Sequence, residues 1–557
     1  MKPKIRAKHM NNIFWTSAVI ITLLVIWGTV DSAGMSRWAD AAYNFTSDAF
    51  GWFYLLSVLV IVLFCAGLAI SKYGRIKLGR DDEKPKYSYF AWIGMLFSTG
   101  FGAGLVFWGI AEPMSHFTNT PTGTEGLSTQ AARLAMQYSF FNWGVHQWSV
   151  FTIVGLTLAY FQFRKNERGI ISNTLNPVIG KSGKKLLRNT INILAVIATV
   201  LGVATSVGMG ILQINGGLNY VFNVPQNTIF LLVITGGLLL LYLTSALTGL
   251  DKGIKFLSIL NLSLAIGLII VVLFLGPTKF ILEVFALGIG DYMQNFFGMS
   301  LGLSPYDGNT WSKGWTVNYW AWVIAWSPFV GAFIARISRG RTIREFVFGV
   351  LIVPPFIATV WIAVFGGTAL YMDLFQNTNI AGAVQNDVTS ALFATFENFP
   401  MSTVLSVVFI LLIITFLVTS ADSATFVLGI MTTNGDPNPS NLVKSIWGVL
   451  MSAIVAVLII SSGLQGLQTA SLVAALPLTV ILLLMGFSLL KTIRQDETVT
   501  VEVEQEAEVS EEVVTESVVT YQAAPLKIKS HAGTKEIPNS NLLSFINGGK
   551  QYDDENG

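Results

Sequence analysis

The sequence predicts an all-α integral membrane protein of twelve transmembrane helices. Composition, segmentation and charge each point that way. The chain has 557 residues, 52% hydrophobic and only 12% charged, where soluble domains carry about 25% charged residues. Its mean hydropathy is +0.60. Apolar runs fall near 12–30, 51–71, 89–111, 139–163, 189–221, 227–248, 256–276, 314–338, 345–371, 398–431, 443–462 and 467–490, most of them long enough to cross a bilayer. Of the 34 Lys and Arg, all but Arg37, Arg133, Lys279 and Lys313 fall on alternate connections. Positive charge is retained on the cytoplasmic side. Both termini are therefore expected inside, in a multi-pass protein of a cell membrane, a bacterial plasma membrane by expectation.

The elements follow in order. Residues 1–11, MKPKIRAKHMN, form a basic cytoplasmic segment before the first span. The run that follows is long and lacks a small-residue cleavage site, so it reads as a span and not as a removed signal. Residues 12–491 form the membrane domain. Two spans come first. Five spans in 89–276 and five in 314–490 then fit a 5+5 inverted repeat with two extra N-terminal helices. Between the repeats lies the outer connection 277–313, in which KFILEVFALGIGDYMQNFF is amphipathic and suits the membrane surface. Residues 492–557 form an acidic tail, expected to be disordered and cytoplasmic. Its roles stay open between regulation and inert solvated chain.

Four stretches depart from what a lipid-facing span needs. In STGFGAG, residues 98–104, Gly100, Gly102 and Gly104 alternate. Small-residue helix packing accounts for Gly100 and Gly104. Unwound backbone beside a cavity would use all three, because freed amides and carbonyls could meet an ion or an anionic group. In NWGVHQWSVF, residues 142–151, a regular helix would place Trp143, Trp148 and Phe151 within an arc of roughly 140°. They form either pocket walls or an interfacial aromatic belt. His146 among them suits packing better than proton relay.

The third stretch is GWTVNYWAWVIAWSP, residues 314–328. Trp315, Tyr319, Trp322 and Trp326 are spaced to share one helix face. They would climb roughly 16 Å, whereas a belt occupies one depth. Such a ladder suits a cation, each ring face attracting it by about 0.5–2 kcal/mol. The fourth is TFLVTSADSATF, residues 415–426. Phe416, Thr419, Ser420 and Ser423 share a face. Their hydroxyls could ligate sodium or could simply bond back to their own helix. Asp422 lies on another face and reads as half of a structural pair.

Other chemistry is not signalled. The single cysteine, Cys65, allows no disulfide framework and no thiolate metal cluster. The net charge of +2 implies no nucleic-acid partner. There is no phosphate-binding glycine loop, no metal-site spacing and no nucleophile elbow, so an enzyme is not expected and no cofactor is implied. Energy for transport would come from an ion gradient or from equilibration.

Residues 12–490 resemble the betaine/carnitine/choline transporter family. The family signature runs Gly-Trp-Thr, an aliphatic, any residue, an aromatic, then Trp-x-Trp-Trp, and GWTVNYWAWV at 314–323 matches nine of its ten positions. WSPFVGAFIARISRGRTIREF, GLVFWGIAEP and FLVTSADSA also look like the family. The resemblance implies a leucine-transporter-like fold, a homotrimer, and an aromatic box for a quaternary ammonium. Its box residues map to Trp143, Trp148, Phe151 and Trp322, with Trp326 beyond. Its sodium site maps to Thr419, Ser420 and Phe416, with backbone at Ser98 and Phe101. A second sodium site would map to Thr199 and Val203.

The chain also departs from the pattern. Val323 stands where the signature has Trp, Phe151 where betaine carriers often have Tyr, and Val203 where a threonine ligand is expected. Choline-type relatives tend to carry Asp at the place of Gly104, which favours a zwitterion here. The expectation is sodium-coupled import of an osmoprotectant, glycine betaine first. A choline importer and a sodium-independent carnitine/betaine exchanger are the near alternatives, and a membrane sensor acting through the acidic tail is the distant one.

Overall fold

The structure is a computed structural model that describes residues 10–100, 102–180, 184–248, 253–306, 308–523, 526–530 and 533–537. The chain divides into two units, Met1–Leu489 and Leu490–Gly557. Among its described residues the first is all-helical. Nine described helices are long and apolar enough to cross a membrane.

The first unit begins with α1 (Asn12–Val30) and α2 (Ser32–Ile70). Asn11 caps α1 by accepting from Phe14 N at 2.9 Å, and Asp31 caps α2 by accepting from Gly34 N at 2.8 Å, in each case satisfying an amide that the first turn leaves open. The expected third span divides into α3 (Tyr89–Gly100) and α4 (Gly102–Thr118). The division falls at Gly102, whose φ of +45° is a left-handed value that glycine adopts at little cost.

The expected fourth span also divides. α5 (Thr129–Asn142) ends before Trp143, and α6 (Val145–Ala159) begins after Gly144. Trp143 therefore does not share a regular helical face with Trp148 and Phe151, contrary to the sequence expectation. The extended conformation of Gly144 makes the break, and the Tyr292 hydroxyl takes the exposed Val145 amide at 3.1 Å.

Two one-turn helices, α7 (Ile171–Thr174) and α8 (Asn176–Ile179), precede the long α9 (Lys185–Phe222). α10 (Thr228–Thr248) and α11 (Gly253–Leu275) follow. α12 (Thr278–Gln294) is the expected amphipathic piece, followed by the short α13 (Phe296–Ser300). α12 packs on α5, where Arg133 clasps Asp291 through two 2.7 Å hydrogen bonds.

The tryptophan-rich stretch enters through a π-turn at Lys313–Val317 and continues as α14 (Asn318–Ile337). It does not stop at Pro328. Proline removes the amide that would serve the Ile324 carbonyl, and Ser327 Oγ donates to that carbonyl instead at 2.8 Å. The expected ninth span becomes α15 (Ile343–Leu351) and α16 (Val353–Phe375), because Pro354 and Pro355 fit only a first helical turn. α17 (Ile380–Asn386) and α18 (Ala391–Phe396) lead to α19 (Ser402–Thr432). α20 (Asn441–Ala523) is interrupted at Gly463, with φ 57° and ψ −136°.

At the centre, α14 packs against α6 and α9, and α9 packs against α19. Gly202 lets α9 close on the backbone of α14, since an added Cβ would stand 2.9 Å from Trp326 N. In the second unit the backbone is helical to Ala523, and β1 (Leu526–Ser530) pairs antiparallel with β2 (Gly533–Ile537).

Candidate substrate and ion site

The break at Gly102 is the pivot of the site. It leaves the C-terminal end of α3 and the N-terminal end of α4 beside each other, deep among packed helices. The first end carries partial negative charge and the second partial positive charge. A cation suits one and a carboxylate the other.

Around the break the aromatic rings form one continuous chain. Trp315 and Tyr319 stack with ring centres 6.4 Å apart, and Trp322 and Trp326 stack at 6.0 Å. Tyr319 meets Trp322 edge-on at 5.9 Å. Trp143, from the α5–α6 junction, stands edge-on to both Tyr319 at 5.9 Å and Trp322 at 6.0 Å. Phe151 of α6 meets Trp326 at 5.8 Å, and Trp148 meets Phe151 at 5.5 Å. The rings are interior: Trp143, Trp148 and Phe151 are at most 1% exposed, Trp326 2% and Trp322 6%. Aromatic pairs of this geometry add about 0.5–1.5 kcal/mol each beyond their buried area.

Gly104 sets how closely α4 approaches this cluster. A Cβ there would lie 2.6 Å from Trp322 Cη2 and 3.5 Å from Trp143 Cη2. Gly102 faces the other helix of the site, where a Cβ would lie 3.2 Å from Ser420 Oγ and 3.9 Å from Trp326 Cη2. The side chains of Ser98 and Gly100 and the whole of Phe101 lie outside the described residues.

On α19, Thr419 Oγ1 donates back to the Phe416 carbonyl at 2.9 Å, so its oxygen lone pairs point away from its own helix. Ser420 Oγ is buried without a hydrogen-bond partner among the described residues. An orphaned hydroxyl oxygen beside the end of a broken helix fits a small hard cation. Thr199 donates to Ala195 O at 2.8 Å, as Thr419 does to its own helix, and the Val203 side chain supplies no oxygen, so the second implied sodium site keeps a single hydroxyl. Asp422 accepts from Ser245 Oγ at 2.5 Å, as a structural partner would. His146 bonds Ser300 Oγ at 2.7 Å and stacks on Trp320.

The sequence reading missed Glu112. This fully buried carboxylate of α4 accepts from Asn142 Nδ2 at 2.8 Å, Trp143 Nε1 at 2.8 Å and the Tyr319 hydroxyl, with His116 Nε2 at 3.2 Å. It lies eight residues past Gly104, roughly 12 Å along the helix. It ties Trp143 and Tyr319 to α4. An acid inside an apolar span was the available signal, and it stood within GLVFWGIAEP. A cleft of about 180 Å³, lined by Met136, Phe280, Leu287 and Phe375, lies apart from these rings and carries none of their chemistry.

Residues 12–498 match the family model described as BCCT, betaine/carnitine/choline family transporter. The chain belongs to this family. It is 56% identical over 488 residues to an ectoine/hydroxyectoine transporter of Virgibacillus pantothenticus, covering 87% of this chain and 97% of the relative. It is 45% identical over 491 residues to the glycine betaine transporter OpuD of Bacillus subtilis strain 168, covering 88% and 95%. A probable glycine betaine transporter of Desulfitobacterium hafniense strain Y51 is 41% identical over 492 residues, covering 88% and 98%. As a member of the betaine/carnitine/choline family this chain is a multi-pass membrane transporter, not an enzyme.

Proposed function

We propose that the chain imports compact zwitterionic osmolytes by sodium symport, ectoine first and glycine betaine second. The observation that carries this reading is the buried chain of rings from two helices, closed around a glycine break that bears opposite partial charges on its two ends. Trp143, Tyr319, Trp322 and Trp326, with Phe151 behind, would face the delocalised or quaternary cation. The α4 amides after Gly102 would take the carboxylate. Because the rings touch, substrate must separate Trp322 from Trp143 to enter.

The order of substrates rests on two residues and one relative. Val323 removes a wall that a round trimethylammonium would use. A flat amidinium needs only two faces, and the stacked pair Trp322 and Trp326 offers them. The 56% identity with an ectoine/hydroxyectoine transporter agrees. Choline, which lacks a carboxylate, gains nothing from the α4 amides. A counter-charge at position 104 would also displace Trp322, whose ring occupies that space.

In the proposed cycle Thr419, Ser420 and the carbonyl end of α3 bind sodium and brace α3 against α19. The braced break then presents the α4 amides at a fixed distance from the rings, and rocking of one helix group against the other switches access. The scaffold proposed for this is the leucine-transporter-like 5+5 inverted repeat with two helices before it, twelve spans in all, with cytoplasmic termini and three copies in a homotrimer.

Uptake of labelled ectoine and glycine betaine into proteoliposomes, with and without an inward sodium gradient, tests the proposal. Uptake should follow the gradient and be competed by both zwitterions but weakly by choline. Equal uptake without sodium would end the symport reading, and strong choline competition would end the substrate reading.

A further inference from the structure

A second orphaned oxygen lies against the proposed ion site, and it comes from a helix that holds none of the sodium-site residues named above. Asn261 of α11 is fully buried. Its Nδ2 donates to Thr419 Oγ1 at 3.3 Å, while its Oδ1 has no hydrogen-bond partner among the described residues. α11 packs on both α3 and α19, the two helices that flank the break, and its Leu262 stands over Gly94 of α3.

A primary amide in an apolar helix is costly to bury, and an unpaired amide oxygen costs about 1–3 kcal/mol. Two such orphans, Asn261 Oδ1 and Ser420 Oγ, flank the one hydroxyl of Thr419. Packing gives no reason for this, because a leucine would fill the same volume without the penalty. A shared positive charge does give a reason. A half-turn of the amide about its last bond exchanges the positions of nitrogen and oxygen within nearly the same volume. It would bring Oδ1 toward Thr419, where the oxygen lone pairs face out.

We propose that Asn261 is a further side-chain ligand of the coupling sodium, supplying Oδ1 beside Thr419 Oγ1 and Ser420 Oγ. The inference rests on the symport reading above. It adds α11 to the parts that sodium draws together, so that ion binding joins three helices. Thr419 and Ser420 alone would join two. Amide, hydroxyl and backbone oxygens are all hard neutral ligands, which suits a monovalent cation better than a divalent one.

The test is the sodium dependence of thermal unfolding of the full chain in detergent, titrated with NaCl against N-methylglucamine chloride at constant ionic strength. A ligand that binds only the folded state raises Tm with its occupancy. The wild type should show a saturable rise. Asn261→Ala should move its midpoint to at least 10-fold higher sodium. Asn261→Asp, which keeps an oxygen and adds charge, should move it below the wild-type value. A wild-type rise with unchanged midpoints in both variants overturns the role of Asn261 and leaves symport standing. No sodium-dependent rise in the wild type overturns symport itself, and this inference with it. If Asn261→Ala does not fold, Asn261→Asp decides: a midpoint within twofold of wild type refutes the proposal.

Discussion

Gly104→Ala isolates how the glycine break shapes the substrate site. The added methyl would sit 2.6 Å and 3.1 Å from two atoms of the Trp322 ring. Ordinary contact begins near 3.4 Å, so the indole must retreat by about 1 Å. Trp322 is held by Trp143 on one side, Trp326 on the other, and a 3.2 Å hydrogen bond from its Nε1 to Ser206 Oγ. It cannot retreat without disturbing one of them. Overpacking of this kind costs about 1–3 kcal/mol, or about 5- to 150-fold in affinity at 1.4 kcal/mol per decade.

In the fold itself, helix propensity offsets part of that cost. Alanine favours a helix over glycine by about 1 kcal/mol, and Gly104 has no positive φ to forbid it. The variant should therefore keep its Tm within a few degrees while its substrate Kd rises at least fivefold. Scintillation-proximity binding of labelled ectoine reads the first quantity and differential scanning fluorimetry the second. Adding Trp322→Phe, which shortens the ring, should recover part of the loss. An unchanged Kd in Gly104→Ala would show that Trp322 does not set the pocket, and the geometric reasoning would fall.

Other expectations concern the supports of the site. Trp143 Nε1 and the Tyr319 hydroxyl share one Glu112 oxygen, and Asn142 Nδ2 and His116 Nε2 share the other; Glu112→Gln turns one of these acceptors into a donor, at about 1–3 kcal/mol for the orphan it leaves, so substrate Kd should rise at least fivefold, and an unaltered Kd would remove Glu112 from the site. Ser327→Ala frees the Ile324 carbonyl in a helix with no water to replace it, and should lower Tm by several degrees; an unchanged Tm would mean that another donor serves it. Between the spans, Arg164 donates to Asp81 at 2.7 Å and holds its carboxyl below the ordinary range. That contribution is fully present above the ordinary carboxylate pKa and is lost as pH falls through the depressed folded value. Asp81 is mostly exposed, so Asp81→Asn should cost under about 1 kcal/mol, and Tm should be insensitive to it near neutral pH.

What the sequence made legible followed from periodicity and from the expense of certain residues in lipid. The 4-3-4 spacing of Trp315, Tyr319, Trp322 and Trp326 survives as a ladder because α14 stays regular through Pro328. That regularity depends on Ser327, which the spacing did not announce. Trp143 was misplaced on a regular helix because the Gly144 break costs no charge and leaves hydropathy unchanged. Gly102 was legible as a break, since three alternating glycines are a poor helix, but the partner of Gly104 was not, because Trp322 lies more than two hundred residues away. Glu112 and Asn261 were both readable as polar residues in apolar spans. Their meaning comes only from what faces them across helices, which no local pattern contains.

The central claim is that the rings hold a charge and not merely an apolar shape. Its most direct measurement compares inhibition of labelled ectoine uptake by glycine betaine and by 3,3-dimethylbutanoate, the isostere in which carbon replaces the ammonium nitrogen. Size and carboxylate are kept and only the positive charge is lost. Two ring faces at about 1 kcal/mol each predict that the isostere inhibits about 30-fold more weakly. Equal inhibition by the two compounds would contradict the account.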